Sequence, residues 1–133
     1  MRVKAVILEG QPTAEAMAAI RAALAAQGET VVFAPPSIGE IIGRVAWETG
    51  LRRAEIVGRS REARLFRARC AVTLLARRMT GYSTGQIGQA MGKRDHTTIL
   101  HQIDRAAAFE ARDPAFAALV ARVAKFLEHG GIT

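Results

Sequence analysis

From residue 38 to residue 126 the apolar positions recur at intervals of three and four, the repeat of helices that each bury one face. Ile38, Ile41, Ile42, Val45 and Ala46 form the first stripe, and Trp47 lies close enough to it to be expected in the core. Ser37 opens this helix, Glu40 three residues on completes a capping-box pattern, and Gly50 marks the end. A short helix then offers Ile56 and Val57 and stops at Gly58. The longest helix is predicted from about Arg61 to Thr80, with Gly81 as its stop. Leu65, Ala68, Val72, Leu75 and Met79 line one of its faces, while Arg69, Thr73 and Arg77 step by four along another. Ser83 caps a short helix that turns Ile87, Ala90 and Met91 inward, and Gly92 makes the following turn. The next helix runs to about Ala108, anchored by Ile99, Ile103 and Ala106, with Arg94, Thr98, His101 and Arg105 on a different face. Asp113 caps the last helix, in which Pro114 occupies the harmless first turn and Phe116, Leu119, Val120, Val123 and Phe126 are packing positions.

The first 36 residues read differently. Val3–Leu8 and "TVVFA" are β-prone, and between them a helical pattern starts near Pro12 and Thr13 and stops at Gly28. Two strands seldom stand alone, so this β-α-β-like element needs the rest of the chain, or a second copy, to pack on. "PPS" at 35–37 is the clearest boundary. The expected architecture is therefore mainly α: a small β-α-β-like element over residues 1–36, then a helical domain over residues 37–133.

Composition narrows the class. Half of the 133 residues are hydrophobic, enough for a core, and few are aromatic, which favours helices over sheets. The single cysteine, Cys70, cannot form an internal disulfide, which fits a reducing cytoplasm. No apolar run approaches the roughly 20 residues of a membrane span, and the apolar stretch behind the basic start is too short for a signal peptide. Charge changes the picture more. The net +7 lies entirely within residues 37–102, which hold twelve basic and five acidic residues; the segments on either side each balance to zero. A basic segment so concentrated is an electrostatic footprint for a polyanion.

The short helix, the Gly92 turn and the helix behind it make a helix-turn-helix pattern, in which the first residues of the second helix face base edges in the major groove. Asp95, His96, Thr97 and Thr98 keep that tip polar. Threonine offers a hydroxyl and a methyl, aspartate accepts from a cytosine amino group, and histidine donates or accepts. Lys93, Arg94 and the free N–H groups of the first turn are suited to phosphate. Competing chemistry is weak. His96 and His101 are five residues apart and do not share a helix face, so no metal site is expected. Cys70 near Arg67 and Arg69 is more simply a bland helical thiol than an activated one, and Asp95, His96 and Ser83 lack a nucleophile elbow.

"GQIGQAMGKRDHTTILHQ" resembles the signature of the C-terminal DNA-binding domain of the bacterial replication initiator DnaA, a phrase of the type E-I-G-x-x-F-G-x-R-D-H-T-T-V-L-H. Arg94, Asp95, His96, Thr97, Thr98, Leu100 and His101 match position for position, and the resemblance extends over about residues 38–110. It implies a helix-turn-helix fold of that type and sequence-specific binding to short duplex sites, the DnaA boxes. It places major-groove reading on Asp95, His96, Thr97, Thr98 and His101, an arginine entering the minor groove at Arg61, and further DNA contacts at Arg69 and Arg77. Cys70, Gly85, Gln86 and Lys93 depart from residues common in the family, Lys93 from a common glycine.

No P-loop is present, since "GQAMGKR" has the wrong spacing and Arg94 where Ser or Thr would hold magnesium. ATP binding, any other cofactor and enzymatic activity are not expected. The expected partner is double-stranded DNA in a cytoplasmic, nucleoid-associated setting, with a role in replication initiation or transcription. The alternative is an adaptor in which residues 1–36 dimerise or recruit a protein, and the helical domain only addresses it to DNA.

Overall fold

The computed structural model describes residues 5–8, 18–19, 22, 30–33 and 35–129. Two strands, β1 (Ala5–Leu8) and β2 (Thr30–Phe33), precede six helices: α1 (Ile38–Thr49), α2 (Arg53–Val57), α3 (Ala63–Met79), α4 (Thr84–Ala90), α5 (His96–Arg112) and α6 (Pro114–Glu128). The chain divides into two compact units, one of Met1–Pro35 with Lys125–Thr133, the other of Pro36–Ala124. In the first, β1 and β2 pair in parallel, with Ala5 opposite Thr30 and Leu8 opposite Phe33. The helix expected between them is described only at Ala18, Ala19 and Ala22; the remainder of that expectation lies outside the described residues. Among the described residues no helix is long and apolar enough to cross a membrane.

The second unit is built around α3. Ten of its residues from Leu65 to Ala76 are buried, the run from Ala68 to Ala76 without a break, because α1, α2 and α5 pack on it from several sides. Ala68, Ala71 and Ala76 let those neighbours approach closely. This enclosure alters the sequence expectation, since the polar row Arg69, Thr73, Arg77 does not share one exposed face. Thr73 is fully buried and its hydroxyl donates to Cys70 O (3.0 Å). Trp47, expected in the core, is 73 % exposed, because the stripe of α1 faces inward through Ile41, Ile42, Val45 and Ala46 and leaves position 47 on the outer side.

Local signals set the helix ends. Ser37 Oγ accepts from Glu40 N (3.0 Å), and Glu40 reaches back to the Ser37 amide in a capping box. Ser83 and Gln86 repeat the device at α4. Gly50 closes α1 in the left-handed region, φ 72°, where a side chain would be strained. The predicted glycine stop of α3 is not used this way. Thr80 is the C-cap in an extended conformation, and its hydroxyl donates back to Ala76 O (2.6 Å). Asp113 Oδ1 accepts from Ala115 N (3.0 Å) at the start of α6. Caps of this kind contribute about 1 kcal/mol each.

Candidate nucleic-acid interface

α4 and α5 form the helix-turn-helix. α4 buries Ile87 and Gly88, α5 buries Ile99, Gln102 and Ala106, and Met91 fills the corner between them. The turn is tight. Arg94 N donates to Gly88 O (2.8 Å) and Lys93 N to Gln89 O (3.3 Å). Gly92 and Lys93 are successively left-handed, φ 81° and 59°. A Cβ at Gly92 would overlap the Val57 carbonyl, so glycine is required there for close approach as well as for conformation. Lys93 has no such freedom; a left-handed non-glycine residue costs on the order of 1 kcal/mol.

This turn presents the tip of α5. Asp95, His96, Thr97, Thr98 and His101 are all exposed. Asp95 is the N-cap residue, but its side chain does not cap the helix. Its carboxylate instead accepts from the Thr97 hydroxyl (3.1 Å) and lies 3.0 Å from His96 Nδ1. The Thr97 hydrogen bond, ahead of the neighbouring backbone, holds the Asp95 carboxyl below its ordinary range, so it is an acceptor at neutral pH. No side-chain hydrogen bond caps the first turn of α5, and the amides of His96 and Thr97 face the Asp95 carboxylate. Leu100, 48 % exposed, adds an apolar contact beside this polar tip. Phe66 fixes α5 against α3, its ring centroid 6.2 Å from that of His101 and 6.4 Å from that of Phe109.

The basic candidates separate into two groups. Arg61, Arg77 and Lys93 are exposed, and among the described residues none of them pairs with a carboxylate. Arg69 corrects the expectation of a DNA contact. It is 4 % exposed, and its guanidinium donates to the carbonyls of Ile56 (2.7 Å), Ser60 (2.6 Å), Glu55 (2.9 Å) and Gly58 (3.0 Å). Arg94 is also turned inward, half-buried and donating to Val57 O (3.2 Å), Gly58 O and Met91 O, so its guanidinium is not free to hold phosphate. Sequence reasoning missed Arg59, whose Nη2 donates to Gly92 O (2.7 Å) and brings the α2–α3 loop beside the helix-turn-helix turn. Position within a basic loop was the one available signal; its acceptor lies 33 residues away.

Several other arginines are neutralised. Arg78 makes a two-pronged bond to Glu110 (2.7 and 2.8 Å), Arg67 pairs with Asp113, and Arg64 with Glu62 (2.8 Å). Among the described residues, basic side chains without a carboxylate partner lie at the α2–α3 loop (Arg59, Arg61), the end of α3 (Arg77) and the helix-turn-helix turn (Lys93), and also at Arg53, Arg105 and Arg112. Cys70 is no part of this surface: its thiol is fully buried, and burial pushes it up to about 12 against the opposing pull of Arg105 and Arg67.

Residues 38–106 match the family described as the bacterial DnaA protein helix-turn-helix. Chromosomal replication initiator proteins DnaA are similar to the chain over the same region. The protein of Thermus thermophilus is 37 % identical over 87 residues, covering 62 % of this chain and 20 % of the relative. That of Caulobacter vibrioides is 35 % identical over 79 residues, covering 59 % and 16 %. That of Gloeobacter violaceus is 39 % identical over 69 residues, covering 52 % and 16 %. The chain thus spans about a fifth or less of these relatives' length. With just over half of its residues matched, and with α4, the Gly92 turn and α5 all inside the match, the chain belongs to the bacterial DnaA helix-turn-helix family.

Proposed function

We propose that this protein binds double-stranded DNA at short specific sites of the DnaA-box type, and acts there in control of replication initiation or transcription without ATPase activity. The observation that carries the reading is an exposed polar helix tip that follows directly on the exposed Lys93 of a turn to which Arg59 ties the basic α2–α3 loop. Asp95, His96, Thr97, Thr98 and His101 are exposed and offer hydrogen-bonding groups suited to base edges, and the exposed Leu100 suits a thymine methyl. Arg77 and Lys93 suit phosphate, and Arg61, on the loop clipped beside the turn, suits the minor groove. The match to the bacterial DnaA helix-turn-helix family supports DNA binding, and a nucleoid-associated, cytoplasmic protein follows from the reading.

Binding then falls with salt at a log–log slope of roughly −0.9 per phosphate neutralised. Thr97→Ala lowers affinity for the preferred duplex by about 1–3 kcal/mol and narrows its margin over a scrambled duplex, whereas Arg77→Ala weakens both duplexes alike and makes the salt slope shallower. Titration of the two variants against both duplexes at several salt concentrations tests the reading. If Thr97→Ala keeps the wild-type margin, α5 does not read bases.

A further inference from the structure

Three guanidinium groups meet where the α2–α3 loop touches the helix-turn-helix turn. Arg69 reaches up from α3 to the carbonyls of Glu55, Ile56, Gly58 and Ser60. Arg94 reaches from the turn to those of Val57, Gly58 and Met91. Arg59 reaches in the opposite direction, from the loop to Gly92 O. These are the carbonyls of the C-terminal end of α2 and of the loop behind it, of which Glu55 O also accepts from Gly58 N (3.2 Å), and a guanidinium fork has five donors to distribute among them. Among the described residues no carboxylate pairs with any of the three arginines. Burial, then the charges of Arg69 and Arg59, push Arg94 down to about 10, and burial ahead of the Arg59 charge lowers Arg69; both stay protonated at neutral pH. Three like charges are therefore held together by backbone dipoles alone, at a place where Gly92 and Val57 also approach too closely for a side chain between them.

Stability of α2 alone does not require this arrangement. Arg69 by itself supplies donors to Glu55 O and Ile56 O of α2 and to Gly58 O and Ser60 O just beyond it. Arg94 and Arg59 instead cross between chain segments 33 to 37 residues apart, and the segments they join are the loop bearing Arg61 and the turn that aims α5. We infer that Arg94 and Arg59, seated on the carbonyl cluster that Arg69 organises, are positioning residues that lock the Arg61 loop to the helix-turn-helix turn, so that the two DNA-contacting elements engage a duplex in one fixed register. The inference rests on the proposed DNA-binding function and goes beyond it. Specificity then resides partly in residues that never touch DNA, and the contribution of Arg61 depends on Arg94.

The test uses the full chain with Arg94→Lys and Arg59→Lys, which keep the charge and lose the fork; Arg59 is exposed, so its variant spares the fold. Amide hydrogen exchange in the DNA-free protein reads the lock directly. Protection at the hydrogen-bonded amides on either side of the joint, Gly58 in the loop and residues 93 and 94 in the turn, falls by roughly 10-fold or more in both variants while that of α1 and α3 is retained. The second readout is a double-mutant cycle with Arg61→Ala, on a duplex carrying the site recovered by random-duplex selection and on its scrambled counterpart. Arg61→Ala weakens specific binding by roughly 10-fold in the wild type and by no more than about 2-fold in the Arg94→Lys background, with little change on the scrambled duplex in either. Unchanged protection at the joint in both variants overturns the lock. Reduced protection with the same Arg61→Ala penalty in both backgrounds overturns its role in positioning. A wild type with no preference between the duplexes removes the sequence-specific reading itself, whatever the exchange shows.

Discussion

Helix α4 carries two glycines three residues apart, and the fold predicts opposite signs for the same substitution at each. At Gly85 a Cβ meets nothing nearer than Ser83 Oγ at 3.8 Å. Alanine there removes a helical glycine and gains about 0.5–1 kcal/mol. At Gly88 the added Cβ would overlap the Arg94 carbonyl, with Arg94 C at 3.1 Å and Ile99 Cγ1 at 3.4 Å. The obstacle is backbone, so it cannot swing aside as a flexible side chain would. Overpacking of this kind costs about 1–3 kcal/mol, with the upper part of the range expected against backbone; subtracting the same propensity gain leaves a net loss of about 2 kcal/mol. Taking about 4–8 °C per kcal/mol for a domain of this size, Gly85→Ala raises Tm by a few degrees and Gly88→Ala lowers it by roughly 10 °C. Because the displaced carbonyl belongs to the turn that aims α5, Gly88→Ala also weakens specific duplex binding. Thermal melts followed by circular dichroism measure both variants side by side. Equal shifts at the two positions would refute the close approach of α4 to the turn, and with it the geometry assigned to the recognition helix.

Other expectations follow from single residues. Cys70, buried and with its thiol pushed up to about 12, reacts with a thiol reagent only as fast as the protein opens; immediate stoichiometric labelling of the native chain would contradict its placement. Lys93→Gly relieves a left-handed lysine and stabilises the unit by about 1 kcal/mol while removing one positive charge, so Tm rises as the salt slope of DNA binding becomes shallower. The Arg78 hydrogen bonds hold the Glu110 carboxyl below its ordinary 4.5 in the folded protein. Its stabilisation is therefore present above that value and lost as pH falls through the lower folded value, and Glu110→Gln flattens the acid limb of a stability-versus-pH curve in that range.

What the sequence made legible was mostly local. Capping pairs such as Ser37 with Glu40 and Ser83 with Gln86 are complete within four residues, and the three-and-four spacing of α1, α3 and α5 is fixed by helix geometry. The exposed tip of α5 was legible for the same reason, since polarity at the start of a helix anchored by Ile99 and Ala106 has nowhere to go but outward. Arg69 and Thr73 were misassigned because a helical repeat separates polar from apolar faces but does not say which polar face a neighbouring segment will cover. In α3 that cover comes from α2 and its loop, and the carbonyls that receive Arg69 lie 9 to 14 residues away. Trp47 shows the converse: proximity to an apolar stripe in sequence does not bring a residue onto it. The inward turn of Arg94 was hidden too, because its acceptors Val57 and Gly58 belong to a different part of the chain.

The central claim, that α5 reads bases while the surrounding charge holds the backbone, is tested most directly by selection from a pool of random duplexes at fixed salt, followed by sequencing of the bound fraction. The account predicts enrichment of one short consensus of the DnaA-box type, lost with Thr97→Ala. Salt-sensitive recovery of duplexes without any consensus would contradict it.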